Sequence, residues 1–245
     1  MENKKVTFND IAKYTNFSKT TISRYFNDPD SLTLKNQEII AQALKDLNYQ
    51  ENKLAKVLAN GKSEFVGILL PNLFLNYYSE MLNQLLATYE TFGYKFLVFV
   101  GTGAEETERK YLQELLAYKI EGLIVLSHTI SSKELASYNV PIVAIEREDE
   151  YINSINTDNY LGAEQAANLL IKNDCDILIH VNSEVPENIP SYDRIRGFRD
   201  TCEKQNANYE MILTDLGNTY NDTKERIKEA FYSIKDKYPG IRKGI

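Results

Sequence analysis

The sequence predicts a small all-α head followed by an α/β core built on parallel sheets. Residues 7–27 read as two short helices joined by a tight turn, which is typical of a helix-turn-helix. From Glu64 onward, apolar strands alternate with helices of about ten to fifteen residues, as in parallel sheets covered on both faces. At 245 residues with 43% hydrophobic content, the chain can bury a sizeable core and form more than one domain.

The helix-turn-helix has a start signal for each of its helices. Thr7 and Asp10 form a capping-box pattern, after which Ile11, Ala12 and Tyr14 supply an apolar stripe. Ser18 is expected to cap a second helix over residues 19–26 whose inner side chains are Ile22, Tyr25 and Phe26. The other face of this second helix carries Lys19, Thr20, Ser23 and Arg24. We expect that face to enter a major groove, although a helical hairpin with a solvated face has the same pattern.

A third helix and a short linker complete the head region. The third helix is expected from Thr33 or Leu34 to Leu47, with Asn48 suited to a left-handed C-cap. Residues 51–61 then form a weakly amphipathic helix that is too short to persist alone in water. Such a helix, basic on one side and carrying Leu58, can fold on DNA and push an apolar wedge into the minor groove. The plainer interpretation is a helical linker.

Charge is divided unevenly along the chain. Residues 1–62 hold ten Lys and Arg against seven Asp and Glu, whereas the whole chain has a net charge of −7. A basic end on an acidic body places the attraction for phosphate groups at one end only. Because the basic excess is small, we expect a single copy to bind DNA weakly and a dimer to bind it better.

The core is expected to contain six strands and six helices. The strands are expected at 65–71, 94–100, 121–127, 141–146, 176–182 and 210–215. The helices are expected at 79–92, 106–118, 132–138, 161–172, 193–205 and 222–238. A further buried strand begins where the chain stops, so we expect an exposed edge on the second sheet. On the last helix, Ile227, Phe231 and Ile234 would then be left bare.

Several classes of protein find no support in the sequence. Cys175 and Cys202 are too few for a disulfide framework and show no metal-ligand spacing. The start of the chain lacks the apolar core of a signal peptide, and the run beginning at Val66 is stopped by Pro71 well short of a membrane span. No glycine-rich phosphate loop, GxSxG or HExxH motif is present. We therefore expect a cytoplasmic protein that is not an enzyme and needs no cofactor.

Seven segments, in this order and spacing, carry a family resemblance. They read VTFNDIAKYTNFSKTTISRYFN, LNYQENKLAKVLA, FVGILLPN, KIEGLIVLS, VPIVAIER, NTDNYLGAEQAANLLI and DRIRGF. Over essentially its whole length the chain resembles the lactose/galactose-repressor (LacI/GalR) family of bacterial transcription regulators. The resemblance implies a head at 1–50 that binds an operator as a homodimer, a hinge at 51–62, and a core shaped like periplasmic sugar-binding proteins. Its two lobes would be 63–158 and 159–245, the second incomplete, so the chain is expected to be a fragment or a truncated product that does not regulate.

The resemblance also assigns DNA contacts position by position. In such repressors the first residues of the second helix read bases, which here are Lys19 and Thr20, with Arg24 also facing the groove. The hinge contacts would come from Asn52, Lys53, Ala55 and Leu58, where Leu58 matches the minor-groove wedge. The chain departs from the family pattern at Glu51, where proline is usual, and at Lys56, where arginine is common. A carboxylate near a phosphate is expected to weaken DNA binding slightly.

The effector cleft is expected where strand ends meet helix starts, the usual ligand position in open parallel sheets. The candidates are Asn72, Tyr77, Tyr78, His128, Glu146, Arg147 and Asp158, together with Arg194, which aligns with the arginine by which relatives grip the effector. Aromatic rings, carboxylates and an arginine fit a small sugar or sugar-phosphate ligand. In plainer interpretations Tyr78 belongs to the core, His128 to the loop surface, and Arg147 to a surface salt bridge.

These features favour a repressor of a sugar-utilisation operon that binds a pseudo-palindromic, double-stranded operator. Two alternatives remain at this point. One is a regulator that uses a phosphocarrier protein as its corepressor. The other is a non-enzymatic sugar-binding protein, which would have no use for residues 1–62.

Overall fold

A computed structural model describes residues 6–51, 61–217 and 219–245. The chain divides into two compact units, residues 1–61 and 62–245, which are called the head and the core below. The predicted hinge contacts Asn52, Lys53, Ala55 and Leu58 lie outside the described residues. None of the described helices is long and apolar enough to cross a membrane.

The head is a bundle of three helices, α1 (Phe8–Thr15), α2 (Lys19–Asn27) and α3 (Leu34–Asp46). A capping box between Thr7 and Asp10 begins α1. The chain reverses at Asn16, whose left-handed backbone (φ 58°) ends α1. The Ser18 hydroxyl then accepts a hydrogen bond from the Thr21 amide and begins α2. Unsatisfied amides at helix starts are thereby paired by short polar side chains, as the sequence predicts.

The three helices share one small apolar core. Ile11, Ile22 and Ile40 are fully buried, one from each helix, and the rings of Phe8 and Phe26 stack 5.3 Å apart beside them. Tyr14 is not part of this core, contrary to the expected stripe. Its side chain is 55% exposed, and its hydroxyl donates to Asp46 at 3.0 Å, because it lies at the flank of α1 facing the end of α3.

The first lobe of the core is a five-stranded parallel sheet with strand order β2-β1-β3-β4-β5. Its strands are β1 (Phe65–Leu70), β2 (Lys95–Val100), β3 (Gly122–Val125), β4 (Ile142–Ile145) and β5 (Asn153–Ile155). Its helices are α4 (Asn76–Ala87), α5 (Tyr89–Phe92), α6 (Glu105–Ala117) and α7 (Ser132–Leu135). Side chains of α6 and α7 pack on one face of the sheet and side chains of α4 on the other. Both faces are therefore covered.

The second lobe is a three-stranded parallel sheet with strand order β7-β6-β8. Its elements are α8 (Asn159–Lys172), β6 (Ile177–Asn182), α9 (Asp193–Lys204), β7 (Tyr209–Leu213), α10 (Tyr220–Lys237) and β8 (Lys243–Gly244). Helices α8 and α9 pack on one face through Ala167 and Phe198, and α10 packs on the other through Ile234. A cavity of about 490 Å³ lies beside β6 and is lined by Leu169, Ile179, His180, Phe198, Ile227 and Phe231 among others.

The core differs from what the sequence predicted in two places. The strand β5 was not predicted, because Asn153, Ser154 and Ile155 form a short, largely exposed edge strand without an apolar run. Ile234 was expected to be bare, but it is 2% exposed and packs against Ile177 and Ile179 of β6. Phe231, by contrast, is 46% exposed, as the sequence led us to expect.

The beginning of the core is tied to the bottom of the first lobe. The hydroxyl of Ser63, 3% exposed, donates to the carbonyl oxygen of Lys119 at 2.6 Å. The next residue, Glu64, donates its amide to the Glu121 carboxylate at 2.8 Å and pairs with Lys95 through its side chain. These contacts fix the chain immediately before β1, which lies between β2 and β3.

Candidate DNA-binding face and effector cleft

The outward face of α2 carries the side chains expected to read DNA. Lys19, Thr20 and Arg24 are exposed, whereas Ser23 is half-buried and accepts a hydrogen bond from Asn27 at 3.2 Å. The opposite face is anchored by the fully buried Ile22. The buried side chains of the head thus fix the orientation of α2, and two cations and a hydroxyl face outward. These are the groups that bind phosphates and base edges.

Glu146 lies immediately after β4, at the edge of the sheet where the cleft is expected. The backbone of Glu146 is left-handed (φ 58°), and the residue is 8% exposed. Its two oxygens accept hydrogen bonds from the Thr157 amide at 2.7 Å and from the Asn159 side-chain amide at 2.9 Å. Burial alone would raise the pKa of Glu146, but these hydrogen bonds and the Arg194 charge hold the pKa below its ordinary value. Glu146 is therefore an ionised, internally paired carboxylate.

Arg194, in the first turn of α9, reaches Glu146 through an intermediary. Its Nε donates to the side-chain oxygen of Asn159 at 2.6 Å, and the Asn159 amide nitrogen donates on to Glu146. Asn159 is 5% exposed, whereas Arg194 is exposed. The three side chains form a hydrogen-bonded row from β4 of the first lobe to α9 of the second. Asn159 was not predicted from the sequence, although the Asp158-Asn159 pair at a helix start is a polar signal at the right place.

Two tyrosines of α4 border the same row. The ring centroids of Tyr77 and Tyr78 are 5.2 Å apart, with Tyr77 42% exposed and Tyr78 half-buried against the core. Burial raises the pKa of both tyrosines; the Glu146 charge raises it further, while the Arg194 charge lowers it. Because these charges act on both rings, the tyrosines of the first lobe lie within electrostatic reach of the arginine of the second lobe. The structure thus places Tyr77 and Tyr78 within the range over which the charges of Glu146 and Arg194 act.

Arg147 lies beside Glu146 in sequence but points into the first lobe. It is 7% exposed, and its guanidinium donates to the Ile130 carbonyl at 2.8 Å, the Ser132 hydroxyl at 3.0 Å and the Ser127 carbonyl at 2.6 Å. The plainer interpretation of Arg147 as a surface salt-bridge partner is therefore wrong. Its contacts fasten the loop after β3, which carries the exposed His128. Desolvation by the surrounding protein and the Arg147 charge both lower the pKa of His128.

The two remaining candidates have local structural roles. Asp158 accepts the Leu161 amide at 2.9 Å and is the N-cap of α8. Asn72 accepts the Leu75 amide at 3.2 Å in the turn before α4. Both lie at the carboxyl-end edge of the sheet, where the cleft is expected, and each has one side-chain oxygen committed to a backbone amide.

The part of the chain that the structure describes contains no group of three or more His, Cys, Asp or Glu side chains arranged to hold a metal ion. The side chains near Glu146 instead provide aromatic rings, hydroxyls, an amide and a guanidinium. Such groups orient a small polar ligand by hydrogen bonds and stacking.

Both units of the chain match models of known protein families. Residues 7–52 match the model of "Bacterial regulatory proteins, lacI family", and residues 63–240 match that of "Periplasmic binding proteins and sugar binding domain of LacI family". The ribose operon repressor of Halalkalibacterium halodurans is 29% identical over 96% of this chain and 70% of its own length. The sucrose operon repressor of Streptococcus mutans is 31% identical over 78% of this chain and 60% of its own length.

Solved structures agree on the fold. The lac repressor dimer bound to operator and the anti-inducer ONPF superposes with a TM-score of 0.73 at 23% identity, covering 93% of this chain and 71% of that one. The regulator CelR in complex with cellobiose superposes with a TM-score of 0.59 at 20% identity, covering 97% and 72%.

A helix-turn-helix head joined to a two-lobed core of the periplasmic-binding type defines the class of ligand-responsive bacterial transcription regulators. Within that class, the chain belongs to the LacI family.

Proposed function

We propose that this protein is a sequence-specific DNA-binding repressor of a sugar-utilisation operon, and that a small sugar-like effector controls its operator affinity. The observation that carries the proposal is the joint match of residues 7–52 and 63–240 to the DNA-binding and sugar-binding parts of one family. The ribose and sucrose operon repressors among its relatives support the repressor role and the class of effector. A protein of this kind acts on DNA in the cytoplasm and is not an enzyme.

The DNA half of the proposal assigns Lys19, Thr20, Ser23 and Arg24 to the major groove of a pseudo-palindromic, double-stranded operator. The DNA-binding domain comprises residues 1–50 and the hinge residues 51–62, with hinge contacts from Asn52, Lys53, Ala55 and Leu58. Two heads of a homodimer read two half-sites, because the symmetry of a palindrome mirrors that of a dimer. The exposure of Lys19, Thr20 and Arg24 on an anchored helix supports this assignment.

The effector half places a sugar or sugar phosphate between a first lobe (63–158) and a second lobe (159–245). Arg194 grips the ligand, Tyr77 and Tyr78 stack on it, and Asn72, His128, Glu146 and Asp158 border it. The hydrogen-bonded row through Glu146, Asn159 and Arg194 supports this site, since it joins both lobes. Arg147 acts at one remove, by holding the loop of His128. Ligand binding changes operator affinity only by its differential affinity for the two states of the protein.

The proposal is tested in two stages. The protein is first used to enrich binding sites from random duplex DNA, and a two-fold symmetric consensus is expected. Binding to that consensus is then measured with ribose, sucrose, cellobiose and fructose 1-phosphate. At least one of them is expected to change the affinity about fivefold or more, the usual lower range of allosteric coupling. If no sequence is enriched, the proposed DNA binding is wrong. If none of the four compounds changes the operator affinity, the proposed control by a sugar-like effector is wrong.

Arg194→Ala provides the matched variant for the second stage. It should keep operator affinity but lose the response to the effector, because the guanidinium reaches the ligand and not the DNA. Arg199→Ala is the control, since Arg199 lies on the same helix and pairs with its neighbour Asp200 at 3.2 Å. A normal effector response in Arg194→Ala would show that the ligand binds away from Glu146, Asn159 and Arg194.

A further inference from the structure

Asn159 occupies a position that only an amide side chain can fill. Its nitrogen donates to Glu146 at 2.9 Å and to the Thr157 carbonyl at 3.1 Å, and its oxygen accepts from Arg194 at 2.6 Å. One end must therefore donate to a carboxylate while the other accepts from a guanidinium. A carboxylate has no proton for the first task, and a hydroxyl is too short to span both partners.

Asn159 also keeps opposite charges apart. Glu146 lies close enough to Arg194 for its pKa to be lowered by the guanidinium charge, yet no direct hydrogen bond joins the two side chains. The arginine is held through Nε alone. Among the described residues, neither of its terminal nitrogens makes a hydrogen bond to protein. The planar pair of terminal N–H groups, which suits two ligand oxygens, is thereby left open while the side chain is still fixed.

From this geometry we propose that Asn159 is the positioning residue of the effector site. It aims Arg194 at the ligand, prevents Glu146 from capturing the guanidinium, and ties the first lobe to the second through one amide. The proposal rests on the proposed function, because it assumes that Arg194 contacts the effector. It assigns Asn159 no contact with the ligand.

The plainer role for Asn159 is to stabilise the start of α8. The two roles can be distinguished by variants that reverse the direction of the hydrogen bond between positions 146 and 159. Asn159→Asp keeps an oxygen for Arg194 but turns a second carboxylate oxygen toward Glu146, so the link between the lobes breaks by repulsion. Adding Glu146→Gln restores a donor toward the side chain at position 159 and keeps an oxygen for the Thr157 amide. The double variant therefore rebuilds the row with its direction reversed, whereas a merely structural asparagine gains nothing from the second change.

The first measurement needs no ligand. In arginine-labelled protein, the Arg194 Nε–H signal, assigned by its loss in Arg194→Lys, should exchange slowly with water. In the double variant Asn159→Ala, Glu146→Ala it should exchange about tenfold faster or more than in Glu146→Ala alone, because the Asn159 acceptor is gone and no carboxylate can take its place. Equal exchange rates in these two variants would overturn the proposal.

The second measurement is calorimetric affinity for ribose, sucrose, cellobiose and fructose 1-phosphate. For whichever compound binds the wild type, Asn159→Asp should weaken binding about tenfold, and adding Glu146→Gln to it should strengthen binding about threefold or more relative to Asn159→Asp alone. Asn173→Asp is the control, since Asn173 lies at the other end of α8 and donates to the Leu169 carbonyl at 2.8 Å. Wild-type affinity in Asn159→Asp, or a double variant no better than the single one, would contradict the proposal. If none of the four compounds binds the wild type, the proposed sugar effector fails, and the exchange measurement alone decides the role of Asn159.

Discussion

Arg147 adjoins Glu146 in the sequence and Arg194 is linked to Glu146 through Asn159, but the guanidinium groups of the two arginines have opposite surroundings. Arg147 is 7% exposed and makes three hydrogen bonds to the loop around residues 127–132, whereas Arg194 is exposed and is held through Nε by Asn159. A fully engaged guanidinium stabilises the loop that it binds, while a partly engaged one remains available to a ligand. The sequence named both arginines but not this difference, because the partners of Arg147 come from another strand end.

We expect Lys19→Ala to relax the base preference of the protein and to cost about 1–3 kcal/mol of binding free energy on its preferred site, since Lys19 begins the exposed face of α2. Lys45→Ala, which removes an exposed cation from α3, should leave the preference unchanged. The measurement is a competition assay against single-base variants of the enriched sequence. An unaltered preference in Lys19→Ala would refute the assignment of α2 as the reading helix.

Glu146 should make stability depend on pH in one direction. Its pKa is held below the ordinary value, so its ionised form stabilises the fold at neutral pH, and this contribution is lost as the pH falls through the lowered pKa. Glu146→Gln should therefore be less stable than the wild type at pH 7, and the difference in unfolding free energy should shrink in acid. Denaturant unfolding between pH 7 and about pH 3 checks this. A difference that stays constant over that range would mean that the carboxylate is not stabilised by its partners.

At the level of helices and strands, the elements with continuous apolar runs were predicted correctly and the more polar ones were not. The continuous run from Phe65 to Leu70 was predicted as a strand and is one, since both its faces are covered. The edge strand β5 was missed because half-exposed polar residues give no period to detect. Helix α4 begins at Asn76, three residues before the expected start, because the Asn72 turn delivers the chain into the helix early. The hydrophobic periodicity of a segment does not contain this kind of tertiary information.

The contact between α8 and α9 depends on one glycine. A methyl group added to Gly197 would overlap the carbonyl oxygen of Tyr160, so the two helices approach backbone to backbone there. Gly197→Ala should cost about 1–3 kcal/mol of stability by overpacking. It should also weaken the effector response, because it displaces the helix that carries Arg194.

The matched control for this contact lies on the partner helix. A methyl group on Gly162 of α8 would meet nothing within 4 Å, so Gly162→Ala should raise stability by about 0.5–1 kcal/mol through helix propensity alone. Thermal unfolding of the two variants provides the comparison. Equal stabilities would show that α9 can move away from α8 without cost.

Across the molecule as a whole, the two lobes bury unequal cores. The first lobe has five strands between two clusters of buried side chains. The second has three strands, of which β8 comprises two residues, and a cavity of about 490 Å³ beside β6. Fewer buried contacts and shorter ladders lower the free energy of local opening.

Amide hydrogen exchange should therefore be about tenfold faster or more in β6 and β7 than in β1 and β3. Helices α1–α3 of the head serve as an internal reference, since their core around Ile11, Ile22 and Ile40 is local. Mass spectrometry of peptides from the three regions gives the measurement. Equal protection of β1 and β6 would show that the second lobe is stabilised by contacts other than its sheet.

The attachment of Ser63 and Glu64 to the bottom of the first lobe has a mechanical consequence. Because Ser63 is fastened to Lys119 and Glu64 to Glu121 and Lys95, the chain leaves the core from a clamped point continuous with the inner strand β1. Any rotation of the first-lobe sheet therefore carries the backbone at Ser63 and Glu64 with it, because these contacts leave no flexible segment between them and β1.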